Sequence, residues 1–361
     1  MATVSDIGQA RPQRRAQLYW GALIVLGVVG LVIWGTQLTG GMDHTGLNQD
    51  VVWGLYIAGF FVAAGSGAGV LFLVGIMQFR PELRAEAWPR LPAVALGSFV
   101  AAGILIAMDL GSPARVWRIA FAGEWSSPMV WDFWLLLATT IVAAVYWWRL
   151  RSARGEDTSL RPLAVVGMVL AVALVVAESL LLVQLAAREW WAGGLTVISF
   201  LVAAGIGGLA LYLLTTPKLA SAQVITWLQI ALAASLVIVL AEVIAGAMSS
   251  NTRTREQINL LVTGAEAPLF WLHIIGGLVL PLALLSWKPN AIAISAAAVL
   301  AIFGVLLEKV WLLAIGQAFP WVSLPSADYL PTWSEVLGAL GAMALGGLVY
   351  LLLDRAIRPR R

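Results

Sequence analysis

Eight ionisable side chains lie within stretches otherwise made of apolar residues: Asp109, Asp132, Glu178, Glu242, His273, Glu308, Lys309 and Glu335. Carboxylates in company with a histidine and a lysine can take up, hold and release protons, or accept a hydrogen bond from a ligand. Placing such a group near the centre of a bilayer costs about 2.5–3.5 kcal/mol on insertion scales, so ionisable residues at that depth are functional candidates by default. Other chemistry is excluded from the start. The chain has no cysteine, which rules out thiolate-held iron–sulfur clusters, disulfides and cysteine nucleophiles on it. It has two histidines, His44 and His273, and a bis-histidine haem would need both at one depth on facing helices.

Each candidate also has a plain structural reading. Asp109, Asp132 and Glu335 fall near segment ends, within reach of headgroups, and the last two sit in first turns, where the helix dipole favours an anion. Glu308 and Lys309 are adjacent and point about 100° apart on a helix, which makes a mutual ion pair awkward. Lys309 is therefore expected to pair with Glu178 or Glu242, and such a pair could serve only to lock the bundle. Glu178 and Glu242 lie deeper, where function is favoured. His273 stands where the repeat described below has Phe133, as a proton carrier or a core histidine with a hydrogen bond. His44, beside Asn48, reads as an exposed loop histidine.

The elements that must position these groups are transmembrane helices. Of 361 residues 61% are apolar and 11% charged, too few charges for a soluble surface. The apolar residues come in runs long enough to span about 30 Å of hydrocarbon. Ten such runs occupy 18–37, 51–79, 91–110, 130–148, 163–187, 190–214, 223–248, 267–286, 290–316 and 332–353. Alternating ten-residue segments of the barrel kind are absent. The expected fold is all-α, a polytopic membrane protein of ten helices.

Lysine and arginine set the expected orientation. Sixteen of them fall on one side: Arg11, Arg14 and Arg15; Arg80, Arg84 and Arg90; Arg149, Arg151, Arg154 and Arg161; Lys218; Lys288; Arg355, Arg358, Arg360 and Arg361. Five fall on the other: Arg115, Arg118, Arg188, Arg253 and Arg255. Both termini are thus expected in the cytoplasm of a bacterial or archaeal cell, beneath its inner membrane. The first run is too long for a secretory signal and reads as a retained helix. Trp147, Trp148, Trp190, Trp191, Trp287 and Trp333 stand at segment ends, where indole rings favour the interface.

Residues 62–73 (VAAGSGAGVLFL) and 202–213 (VAAGIGGLALYL) are similar, and the same offset of 140 relates Pro128 to Pro268 and Trp131 to Trp271. This implies a parallel repeat of helices 2–5 and 6–9. The expected organisation is an arm, first helix and outer loop over 1–50, a four-helix bundle over 51–189, a second over 190–331, and a last helix with a basic tail over 332–361. Gly65, Gly67, Gly205 and Gly207 would let helices approach closely. On this topology all eight ionisable groups fall in the outer half. The inner half offers weakly polar groups such as Ser66, Thr139, Thr140, Ser199 and Gln229. A water-filled transport path needs polar residues at both depths, whereas a site opening from lipid towards the outer face needs them at one.

The run DLGSPARVW (Asp109 to Trp117), followed by SSPMVWDFWLL (Ser126 to Leu136), resembles the membrane subunits of the polysulfide-reductase family, also called NrfD/PsrC. WGLYIAGFFVAAGSGAG (Trp53 to Gly69) is similar to the family's glycine-rich opening helix, and YLPTWSEVLGALG (Tyr329 to Gly341) to the P-T-x-x-E segment of its ten-helix branch. The resemblance covers most of the chain from about residue 50. It implies two four-helix bundles and a quinone or quinol, menaquinone or ubiquinone, bound near one membrane face. It also implies no haem or iron–sulfur cluster on this chain. A docked four-cluster iron–sulfur protein would relay electrons to or from a molybdopterin catalytic subunit. The quinone-contacting set would be Glu178, Trp131, Asp109, His44, Asn48 and Tyr56. Asp109, Asp132, Glu178, Glu242, His273, Glu308 and Lys309 would move its protons, and Arg115, Arg118 and Glu124 would meet the partner. Family members often carry a tyrosine where Glu178 falls. A carboxylate there can accept a hydrogen bond from a quinol and take its proton. No histidine stands early in the second helix, where Phe60 lies, which turns attention to His44 and Asn48.

Two other functions fit a membrane protein with repeats and intramembrane acids. One is a secondary transporter or proton-translocating protein. The other is a passive anchor that holds a partner without binding quinone. Quinol-linked electron transfer separates them from the first.

Overall fold

The computed structural model describes residues 4–84, 88–152, 160–185, 188, 190–217, 221–287, 289–319 and 329–357. Among these residues there is no strand, and ten helices are long and apolar enough to cross a membrane. They are α1 (Val4–Gly40), α2 (Leu55–Phe79), α3 (Leu91–Asp109), α4 (Pro128–Ser152), α5 (Arg161–Val183), α6 (Thr196–Thr215), α7 (Ala222–Ala247), α8 (Ala267–Ser286), α9 (Ala291–Gln317) and α10 (Trp333–Ile357). Arg154, Lys218, Lys288, Arg358, Arg360 and Arg361, counted above for orientation, lie outside the described residues, as does the bundle boundary at residue 189.

The helix ends follow local chemistry. Proline opens α3, α4 and α5, where its missing N–H is no loss. Ser221 caps α7 by accepting from the Val224 N–H, and Asn290 caps α9 by accepting from Ile292 and Ala293. α1 stops at Gly41, whose φ of +81° only glycine adopts readily. Among the described residues, two connections carry short α-helices, Trp117–Ala122 and Thr252–Thr263. They lie at the same end of the bundle, termed the capped end. The opposite end, with Arg80, Arg84, Arg90, Arg149 and Arg151, is the basic end.

The contacts have a two-fold pattern. α2 packs against α5 as α6 packs against α9, and α2 meets α9 as α6 meets α5. α2 and α6 cross at the centre, on the repeated glycine sequence. A Cβ on Gly208 would run into the backbone of Gly69, and one on Gly207 into Ser66. Without side chains between them the two backbones meet. This corrects one expectation: Gly205 has no neighbouring atom within 4 Å of where its Cβ would be, and plays no part in the crossing.

The repeat offset changes along the chain. In the last pair of equivalent helices it is 130, because α4 and the connection after it are together longer than α8 and the connection after it. Ala171, Val175, Glu178 and Leu182 of α5 then match Ala301, Val305, Glu308 and Leu312 of α9. Glu178 and Glu308 are counterparts. The pattern is broken on the outside: α10 packs on α1 and on α3, whereas α7, the counterpart of α3, keeps Ile230, Val237, Leu240 and Ile244 exposed.

Of the tryptophans expected at the interface, Trp148, Trp287 and Trp333 are exposed. Trp191 is not. It is 1% exposed, stacks on Trp53, and donates its indole N–H to the Leu312 carbonyl at 2.8 Å. Its neighbour across the packing is Gly316, which has no side chain to displace it.

Candidate functional site at the seam between the repeats

The ionisable groups in the spanning helices gather at one end. Asp132, Glu178, Glu242, His273 and Glu308 each lie within nine residues of the capped end of their helix, or about 14 Å at 1.5 Å per residue. Asp109 and Glu335 are within three residues of it. The basic end has one buried acid that the sequence does not single out: Asp354 is 3% exposed and its carboxylate meets Arg90 at 3.1 Å.

The expected groups fall into two clusters. The first lies on the seam between α2, α5, α6 and α9. Glu178 is 0% exposed, and neither of its carboxyl oxygens has a hydrogen-bond partner. One oxygen is close to Gly65, on the α2 face that lets α5 approach. Beside it is a cavity of about 10 Å³ lined by Glu178, Lys309, Gly65, Ser66, Phe61 and Phe200, about the space of one water molecule. Asp132, 8% exposed with one oxygen unpartnered, is within electrostatic range of Glu178.

Across the cavity, Lys309 corrects the expected pairing. Its ammonium lies 2.7 Å from the carboxylate of Glu308, its neighbour in sequence, and 3.8 Å from the centroid of the Phe200 ring. Backbone directions 100° apart do not prevent this, because the lysine stem is long enough to fold back along the helix. The second bond to Glu308 comes from Ser199, at 2.6 Å. Ser199 therefore belongs with the acids at the capped end; it sits in the first turn of α6, not at the opposite depth as expected from sequence.

His273 is 0% exposed, and its Nδ1 accepts the Trp311 indole N–H at 3.3 Å, while Nε2 has no partner. It lies where α8 widens into a π-helical stretch, Leu272–Val279, just before Pro281, whose missing N–H interrupts the regular ladder. Glu242 feels both Glu308 and Lys309. It is partly exposed and lines an open pocket of about 310 Å³ at the capped end, with Trp190, Gly194, Ser249 and Thr254. The series Glu178, Lys309, Glu308 and Glu242 thus runs from the seam to an opening.

The second cluster joins the first loop to α10. Glu335 accepts from the Gly46 N–H at 2.8 Å, the Thr332 N–H at 2.9 Å and the Tyr329 hydroxyl at 2.7 Å. The Tyr329 oxygen in turn accepts from the Leu55 N–H at 2.6 Å. Burial, helped by Glu335, pushes the Tyr329 phenol well above its ordinary range, so it acts as a fixed donor. Tyr56 is hydrogen-bonded to Gln37 at 2.8 Å and lies in the field of Asp109 and Glu335. One oxygen of Asp109 is buried without a partner. Gln317 holds residues 52 and 53 out of the helix: its oxygen accepts from both N–H groups and its amide donates to the Trp53 carbonyl. For this reason α2 starts at Leu55 rather than at 51. Arg188 donates to the carbonyls of Asp50 and Gln317, and burial lowers its guanidinium below the usual value.

Two of the residues expected to contact a quinone, Asn48 and His44, lie in the first loop. Asn48 accepts from the Asp50 and Val51 N–H groups, an Asx turn. His44 is exposed, and its carbonyl accepts from Thr332 and Ser334. Trp131 is 49% exposed, packs edge-on against Trp125 and donates to the Trp125 carbonyl. Arg115, Arg118 and Glu124 are exposed on the 110–127 connection, beside the bare aromatic faces of Trp117, Phe121 and Trp125. Sequence reasoning misses Ser199, Trp311, Gln317 and Tyr329. Only the 130-residue offset between Glu178 and Glu308 offers a signal, and that points to Ser199 only through the fold.

The profile of the family described as "Polysulphide reductase, NrfD" matches residues 43–321. The chain is 30% identical to a putative membrane subunit of dimethyl sulfoxide reductase in Halobacterium salinarum, over 93% of this chain and 91% of the relative. It is 24% identical to a subunit of selenate reductase in Mesobacillus selenatarsenatis, over 91% of this chain and 92% of the relative.

Proposed function

The chain belongs to the NrfD polysulphide-reductase family, and we propose that it is the quinone-reactive membrane subunit of a respiratory oxidoreductase. One observation carries this reading: a carboxyl group, Glu178, buried at membrane depth with both oxygens unpartnered. A buried polar atom without a bond costs about 1–3 kcal/mol, more when charged. Such a cost persists where a ligand or a proton meets it. Asp132 and Asp109 each keep one oxygen in the same condition. The residues present therefore fit a ligand that exchanges hydrogen bonds and protons.

A quinone supplies two-electron, two-proton chemistry within the lipid phase. Glu178 would accept a hydrogen bond from the quinol hydroxyl and take its proton. Asp132 would share that role through its electrostatic contact with Glu178. Lys309 would steady a negative charge on Glu178 from across the cavity without giving up Glu308. Glu242 would deliver protons to the pocket at the capped end. Tyr56 and Asp109 would support the site from α2 and α3. The electrons would pass to a four-cluster iron–sulfur protein docked over Arg115, Arg118 and Glu124, and through it to a molybdopterin catalytic subunit. The names of the dimethyl sulfoxide reductase and selenate reductase relatives support such a complex. The sixteen-to-five division of basic residues supports a capped end that faces away from the cytoplasm, with both termini inside.

The test is quinol-linked electron transfer in the purified complex. Glu178→Gln keeps the volume and removes the proton acceptor, and turnover should fall at least tenfold; Asp109→Asn should lower it less. Full activity and unchanged quinone affinity in both would remove the site. A complex that never carries an iron–sulfur protein would remove the function.

A second reading, proton translocation without quinone chemistry, draws on the line of charges from the seam to the pocket at Glu242. Proteoliposomes that carry protons without any electron donor would favour it.

A further inference from the structure

The bare helix of the second repeat, α7, carries a carboxyl that no neighbour satisfies. Glu242 lies five residues, about 8 Å, below the capped end of that helix. Among the described residues no hydrogen bond or ion pair reaches it, and Lys309 is bonded to Glu308 instead. The repeat does not account for this acid. At the offset of 140 its counterpart is Ala102, which is buried on α3 and offers no polar group.

The pocket of about 310 Å³ at Glu242 combines three kinds of group. Glu242 supplies a carboxylate, Ser249 and Thr254 supply hydroxyl oxygens, and Trp190 supplies an indole ring. The ring packs on Gly246, where a Cβ would lie 3.5 Å from its Cζ3. The Ser249 oxygen accepts from the Asn251 N–H and keeps a second lone pair. A primary ammonium has three N–H donors, and this lining offers it three acceptors. An aromatic face beside a carboxylate also suits an organic cation. A quaternary ammonium would meet the ring but has no hydrogen to donate.

The surroundings point to what carries the ammonium. Ala245 lines the pocket and is exposed, and Leu240 and Ile244 are exposed beside it on the same helix. In a bilayer that surface meets acyl chains. Arg253 and Arg255 flank Thr254 in the short helix Thr252–Thr263, so the rim carries positive charge suited to a phosphate. Acyl chains, phosphate and primary ammonium occur together in a phospholipid with an ethanolamine headgroup. We infer that the pocket at Glu242 binds phosphatidylethanolamine, with the ammonium on the Glu242 carboxylate and the chains along α7. The lipid site goes beyond the functional reading above and stands apart from it, since its occupancy is read without turnover. An ammonium and a proton meet the same carboxyl there, so a bound lipid would hold back proton release by that route.

The test offers the lipid-stripped, purified protein phosphatidylethanolamine or phosphatidylcholine with the same acyl chains, and counts bound lipid by native mass spectrometry. The ethanolamine lipid should bind about tenfold more tightly, as hydrogen bonds to charged groups typically allow. Glu242→Gln should remove that preference and leave both lipids at the level of the choline lipid. Gly194→Phe fills the pocket from a position with open space around its Cβ, and should do the same without touching the acid. Equal binding of the two lipids by the wild type would overturn the assignment. So would a preference that survives either variant in protein that elutes like the wild type. Free ethanolamine should displace the lipid only at far higher concentration than the lipid itself. Displacement at equal concentration would make the pocket a site for soluble amines and overturn the lipid.

Discussion

The ammonium of Lys309 lies 2.7 Å from the carboxylate of the residue before it, Glu308, and both are 2% exposed. The pair forms one wall of the seam. Breaking a buried pair by removing one partner costs about 3–5 kcal/mol, whereas replacing both by neutral groups is often close to neutral. Lys309→Met should therefore lower the unfolding temperature of the purified complex markedly. The double variant Glu308→Gln with Lys309→Met should recover most of the loss. Equal loss in the single and double variants would mean that the pair is not the source of the stability.

The crossing of α2 and α6 has no room for a side chain at Gly208. Gly208→Leu should separate the two repeats, with little complex recovered from membranes. Gly205→Ala, three residues earlier on the same helix, should leave the yield within about twofold, because open space surrounds it. Overpacking typically costs about 1–3 kcal/mol and more where backbone is the obstacle. Comparable yields for the two variants would contradict the crossing.

Glu335 holds three donors, from Gly46, Thr332 and Tyr329. Glu335→Ala leaves them without their acceptor, at about 1–3 kcal/mol for each that stays buried. Amide hydrogen exchange over residues 43–55 should accelerate tenfold or more, since each 1.4 kcal/mol is a factor of about ten. Exchange in α7, which has no bond to this loop, should not change. Uniform acceleration across the chain would point to global destabilisation instead.

The proposed docking of an iron–sulfur protein at the 110–127 connection makes a charge-reversal prediction. Arg115→Glu with Arg118→Glu should abolish co-purification of the iron–sulfur protein, while the membrane subunit itself remains in the bilayer at its usual level. Both arginines are exposed, so the substitutions leave the core unaltered. Raising the ionic strength should weaken the wild-type complex in the same direction. A complex that survives both treatments would put the dock elsewhere.

Much of this arrangement is legible in the sequence. Long apolar runs fix the ten helices, because a chain in hydrocarbon must satisfy its backbone within the segment. The offset of 140 and the glycines predict parallel halves, and the clustering of acids towards one end follows from counting residues along each helix. The acids of the seam, Glu178, Glu308 and Asp132, stand out as candidates on composition alone, as does Lys309. The partner of Lys309 does not, because backbone direction says little about where a four-carbon stem ends. The depth of Ser199 emerges only when its distance from the start of α6 is compared with that of Glu308 from the end of α9.

What the sequence alone determined was the set of helices and the depth of their ionisable groups, since both depend on transfer from water to lipid and on the rise per residue. Only the tertiary structure decided which acids are satisfied. Glu178 and Glu308 occupy equivalent places in two repeats, yet one meets neither a lysine nor a serine and the other meets both. That difference arises from contacts between helices distant in sequence. No local pattern encodes it.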